Sequence, residues 1–204
     1  PPRSTLLPYT TLFRSGAGKT FTFRQVVQSG AWSSFLGKLG FNQANVTDAA
    51  IFPVLWSGNI ADSPDGEIKR AQGAALGLIS GDKTKLHTGN DLGKRIASVL
   101  QNPPDHWDDF WDALIASQFG IDQGGLQALN QMLADQSARV ILIFDGIEDA
   151  FGDANDSHAR KAIEALLKLT NRISELATPH LGALVFVRLD YAQAAIRQNL
   201  GQWL

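Results

Sequence analysis

The sequence predicts an α/β fold of three layers, a mostly parallel sheet between helices, with a largely helical insertion between two of its strands. Three observations predict it. A glycine-rich turn, Gly16-Ala17-Gly18-Lys19-Thr20, runs straight into a helical-looking stretch from Thr20 to Gln28. Arg139 to Phe144 is a continuous apolar and β-branched run, the pattern of a parallel strand covered on both faces. After the turn, strand-like and helix-like segments alternate, which is the order that lays helices on both sides of a parallel sheet.

In chain order, Phe21, Phe23, Val26 and Val27 form the apolar stripe of a first helix, ended by Ser29-Gly30. Ala49 to Trp56 is a short apolar run suited to a buried strand, and Pro53, which has no ladder donor, suits an edge strand best. Ser57 to Asp65 reads as a polar turn region, Gly66 to Ile79 as a helix, Gly81 to Asn90 as a loop, and Asp91 to Leu100 as a helix stopping before Pro103-Pro104. A helix from Pro104 to Phe119 carries Trp107, Phe110, Trp111, Leu114 and Ile115 on one face, read as core or domain contact and not as a cofactor box. Leu126 to Ala134 adds another helix, so residues 57–136 form the helical insertion. Ser157 to Leu176 has apolar residues at helical intervals, Leu181 to Val187 is a second clear strand, and a helix runs from Tyr191 to about Asn199.

Length and composition set bounds. The 204 residues suit one α/β domain, and 44 % hydrophobic with 19 % charged residues is ordinary for a globular chain. Eighteen basic against twenty acidic side chains leave a formal charge of −2, so nucleic acid is not indicated as a partner. No apolar run is long enough to suggest a membrane partner, and the absence of cysteine excludes disulfides and thiolate metal sites and fits a cytoplasmic location. His87, His106, His158 and His180 show no ligand spacing, and Ser57 and Ser174 have no partner pattern for a hydrolase triad.

The chemistry is concentrated in two motifs. Gly16 to Thr20 reads as the second half of a P-loop, or Walker A motif: glycines allow backbone N–H groups to cradle phosphate, Lys19 reaches the β- and γ-phosphates, and the Thr20 hydroxyl ligates Mg²⁺. The full pattern, G-x-x-x-x-G-K-[ST], asks for glycine where this chain has Phe13. Residues 1–15 resemble the translation of a common sequencing adapter, so a non-native segment is expected there and is set aside from fold reasoning. Val140-Ile-Leu-Ile-Phe-Asp145 has the form of a Walker B strand, which delivers Asp145 to the sheet edge where a Thr20-bound Mg²⁺ would lie.

Asp145-Gly146-Ile147-Glu148-Asp149 resembles the Walker B segment of NACHT-type members of the STAND class of P-loop ATPases. The resemblance spans roughly residues 16–199 but rests on these two motifs. It implies that Asp145 serves Mg²⁺ and that Glu148 or Asp149 polarises the attacking water, with Glu148 favoured; the alternative is a merely acidic turn. Arg188, at the end of the Leu181 strand, is a candidate γ-phosphate sensor, or else a surface arginine paired with Asp190 or Asp149; Arg197 is a weaker candidate of the same sort. The expected function is an ATP- and Mg²⁺-binding, ATP-hydrolysing core of a larger signalling or regulatory ATPase, cut at both ends, whose protein partners act through domains outside this chain. Alternatives are a motor or partition ATPase acting on DNA or protein, and a fragment made inactive by its broken phosphate loop.

Overall fold

The computed structural model describes residues 9–13, 18–42, 47–60, 66–79, 89–153 and 155–196. Its centre is an all-parallel, four-stranded sheet of β1 (Tyr9–Phe13), β2 (Ala50–Leu55), β3 (Val140–Phe144) and β4 (Leu181–Arg188), in the order β1-β4-β3-β2. The Tyr9–Phe13 segment, set aside above, thus occupies an edge next to β4, with Phe13 in register with Arg188.

Both faces of the sheet are covered, and β3 shows how the sequence achieves this. Its residues alternate between two cores: Val140, Leu142 and Phe144 enter one, Ile141 and Ile143 the other. The smaller core is closed by α1 (Lys19–Ser29), α2 (Trp32–Lys38) and the start of α3 (Glu67–Gly77), through Phe23, Val26, Trp32, Phe35 and Ile68. The larger is closed by α4 (Gly89–Gln101), α5 (Trp107–Gln118), α6 (Gly125–Asp135), α8 (Ser157–Ser174) and α9 (Leu189–Ala195). A five-residue helix, α7 (Ile147–Phe151), follows β3 directly. Among the described residues four helices, α3 to α6, lie between β2 and β3.

The aromatic cluster of α5 is core. Trp111 is fully buried against Phe144 and Phe151, and its indole N–H donates to the Ala162 carbonyl at 2.8 Å, so its one polar atom is satisfied. Pro53 stands on the outer side of β2, an edge strand. Its carbonyl accepts from the Gln72 amide of α3 at 2.9 Å, and the β2–β3 register shifts between Pro53 and Leu55.

Several expectations are corrected. Phe21 is 68 % exposed and not part of the buried stripe of α1. α5 begins at Trp107, not Pro104, because His106 is extended (φ −127°, ψ 110°). α4 begins at Gly89, so Gly89 and Asn90 are helical; residues 80–88 of the expected loop and 61–65 of the expected turn lie outside the described residues. α9 starts at Leu189, directly after β4, and Ile196 has already left helical geometry (φ −101°, ψ 82°). α2 was not anticipated: Trp-Ser-Ser-Phe-Leu-Gly-Lys is short and rich in weak helix formers, and it forms by burying Trp32 and Phe35.

Candidate functional site

The site forms where β3 ends. Asp145 leaves the strand with its N–H donating to the Leu55 carbonyl at 2.8 Å, and Gly146 then turns the chain into α7 with φ 73°. Only glycine fits here: a Cβ would lie 2.5 Å from the Ser57 nitrogen and 2.7 Å from the Trp56 carbonyl carbon. The tight approach locks the start of α7 against the chain leaving β2. From the opposite side α1 begins at Lys19, after Gly18 in the left-handed conformation (φ 77°, ψ 22°). Among the described residues no side chain caps α1, and no acid stands in its first turn, so its positive dipole end favours an anion.

These segments line an open cleft of about 320 Å³. Lys19, Thr20, Asp145, Glu148, Asp149 and Arg188, all named from the sequence, meet in it, together with Gly18, Phe21 and Ser57. Gly16, Ala17 and Arg197 lie outside the described residues. Asp145 is only 1 % exposed and its carboxylate accepts a hydrogen bond from the Thr20 hydroxyl. Burial pushes its pKa above the ordinary value, against the lowering effects of hydrogen bonds from Gly146 and Thr20 and of the Lys19 charge. Its second oxygen, Oδ2, is buried without a hydrogen-bond partner among the described residues.

A buried carboxylate oxygen left unpaired is costly unless something completes it. The arrangement fits Mg²⁺: one carboxylate and one hydroxyl offer oxygen ligands, and this ion keeps several waters or takes phosphate oxygens for the rest. Among the described residues no cluster of three or more His, Cys, Asp or Glu forms a self-sufficient metal cage. An ion here would therefore take its remaining ligands from water or from phosphate.

The two acids of α7 are differently employed. Glu148 forms an ion pair with the Lys19 ammonium, both side chains largely buried, and also accepts from the Arg188 N–H at 3.1 Å. Asp149 instead accepts from the Ser57 hydroxyl at 2.7 Å and from the Gly58 N–H at 3.1 Å. The Arg188 guanidinium forks onto Asp190 at 3.1 and 2.6 Å and lies 5.4 Å from the centre of the Tyr191 ring. Of the two surface partners considered for it, the structure gives Asp190 and not Asp149. Ser57 is the site residue that sequence reasoning missed. A lone serine carries no motif signal, and its only hint was its place just past the β2 run. No protein-family model, curated protein or solved structure matches the chain.

Proposed function

We propose that the chain is a P-loop ATPase domain that binds Mg²⁺·ATP in this cleft and hydrolyses it, as the nucleotide core of a larger signalling or regulatory ATPase. The observation that carries the reading is the meeting of three groups: the Lys19 ammonium and the Thr20 hydroxyl at an uncapped helix start, and the half-satisfied carboxylate of Asp145 at the end of a parallel strand. The unpaired Asp145 oxygen would otherwise be an odd thing to leave at a buried edge. Together the three groups match a triphosphate with its cation.

Mg²⁺ would neutralise charge on the β- and γ-phosphates and would be held by Thr20 and Asp145. Lys19, now paired with Glu148, turns its ammonium to the phosphates, since the exchange replaces one anionic partner by a more highly charged one. That transfer frees Glu148 at the moment substrate arrives. Glu148 then accepts a hydrogen bond from a water and aims the water's oxygen at the γ-phosphorus; the new P–O bond forms as the bond to the bridging oxygen breaks, and the water's proton passes to a phosphate oxygen, leaving ADP and dihydrogen phosphate. The Arg188 backbone N–H keeps the carboxylate in place.

Steady-state ATP turnover of the chain against Lys19→Ala and Asp145→Asn tests the reading. Both substitutions are expected to abolish Mg²⁺-dependent turnover, and equal turnover in all three proteins would reject an ATPase centred here.

A further inference from the structure

The site contains two neighbouring carboxylates, and their surroundings separate their roles. Consecutive residues of a helix project in different directions, and Glu148 and Asp149, though both line the cleft, take different partners. Asp149 is already engaged: its Oδ2 takes the Ser57 hydroxyl and the Gly58 N–H. The Ser57 hydroxyl is itself directed. Its oxygen accepts from the Asn59 backbone N–H and from the Asn59 side-chain amide, each at 3.3 Å, which leaves its own proton for Asp149. Ser57 is 6 % exposed, and the backbone beside it meets Gly146 with no room for a Cβ. The chain past β2 therefore grips α7 at two points, at Gly146 and at Asp149. Glu148, in contrast, is held by the Lys19 ammonium, a partner that a triphosphate would take over.

We infer that Ser57 is a positioning residue: with the Gly58 N–H it clamps Asp149 to the end of β2, which commits Asp149 to structure and leaves Glu148 as the carboxylate that orients the attacking water. The inference rests on the nucleotide reading above. It resolves which of two adjacent acids touches the reacting atoms, and it adds a residue from the chain just past β2 to a site otherwise built by α1, α7 and the ends of β3 and β4.

The test uses the full chain, with Mg²⁺·ATP turnover and, separately, equilibrium binding of a fluorescent ATP analogue. Glu148→Gln is expected to lose at least about a hundredfold in kcat while still binding the analogue. Asp149→Asn keeps an amide oxygen able to accept from Ser57 and Gly58, and should lower kcat only about threefold. Ser57→Ala should lower kcat about tenfold with KM within about twofold, as misaiming without loss of substrate contacts does, and Ser57→Thr should restore most of it. A loss in Asp149→Asn as large as that in Glu148→Gln, or a Ser57→Ala effect confined to KM, overturns the inference while leaving the ATPase reading intact. A wild-type chain that neither binds the analogue nor turns over ATP overturns the nucleotide reading, and the inference with it.

Discussion

Replacing Gly146 by alanine should be among the most damaging single-methyl additions in the molecule, and the structure separates the two reasons. The first is conformational: at φ 73° an L-residue in left-handed geometry costs about 1–2 kcal/mol. The second is collision. The new Cβ would stand 2.5 Å from the Ser57 nitrogen, 2.6 Å from its Cα and 2.7 Å from the Trp56 carbonyl carbon, all backbone atoms that no rotamer change can move. Forcing an extra carbon into such a contact costs about 1–3 kcal/mol more. Gly30 supplies the control. It too is left-handed (φ 72°), at the end of α1, but a Cβ there meets nothing within 4 Å, so Gly30→Ala should show the conformational cost alone. Urea unfolding followed by tryptophan fluorescence reads both. With an m-value of about 2 kcal/mol/M, the midpoint of Gly146→Ala should fall about 0.5–1.5 M below that of Gly30→Ala. Two midpoints equivalent to within about 0.5 kcal/mol would refute the packing of β2's exit against the start of α7, whatever the function of the site.

Other outcomes follow from the same coordinates. Burial raises the Asp145 pKa, so the folded state holds this proton more tightly than the unfolded chain; the group favours folding below its ordinary value of 3.8, and that contribution is lost as pH rises through the raised one. Asp145→Asn should therefore gain stability relative to wild type between pH 4 and pH 7 in urea titrations while losing any stabilisation by Mg²⁺·ATP. A constant difference between the two pH values would refute the burial argument. Asp156 caps α8, accepting from the His158 and Ala159 N–H groups at 2.9 and 2.8 Å, and hydrogen bonding, that from Ala159 foremost, lowers its pKa. Asp156→Ala should cost about 1 kcal/mol at pH 7, and the difference should shrink as pH falls through the lowered pKa and the carboxylate is protonated in both states. Trp111→Ala, which empties a fully buried site, should cost about 3–5 kcal/mol by thermal or urea unfolding; a loss under 1 kcal/mol would place the indole outside the core.

Much of the fold was legible because burial writes directly into sequence. Residues 140–144 and 181–187 are uninterrupted apolar runs because both of their faces are covered, and Pro53 marked an edge strand because an inner strand would need its missing N–H. The aromatics of α5 were recognisable as core by their spacing. What the sequence hid is of another kind. α2 has little intrinsic preference for a helix and exists by virtue of what it buries, and Phe21 keeps the helical spacing of its neighbours but projects at the cleft mouth. In the site, the glycine-lysine-threonine turn and the strand ending in Asp145 could be picked out one motif at a time. The different partners of Glu148 and Asp149 could not, because they are Lys19, 129 positions away from Glu148, and Ser57, 92 positions away from Asp149.

The outer side of β2 has a consequence for how copies of this molecule can meet. An exposed strand edge is a template on which another strand can grow, through its row of free donors and acceptors. Here part of the row is used up from within. The Trp32 N–H takes the Ala49 carbonyl at 2.9 Å, the Gln72 amide takes that of Pro53, and Pro53 offers no donor at all. Two carbonyls along this margin are thus taken and one donor is missing, which makes the β2 side a poorer template for an incoming strand.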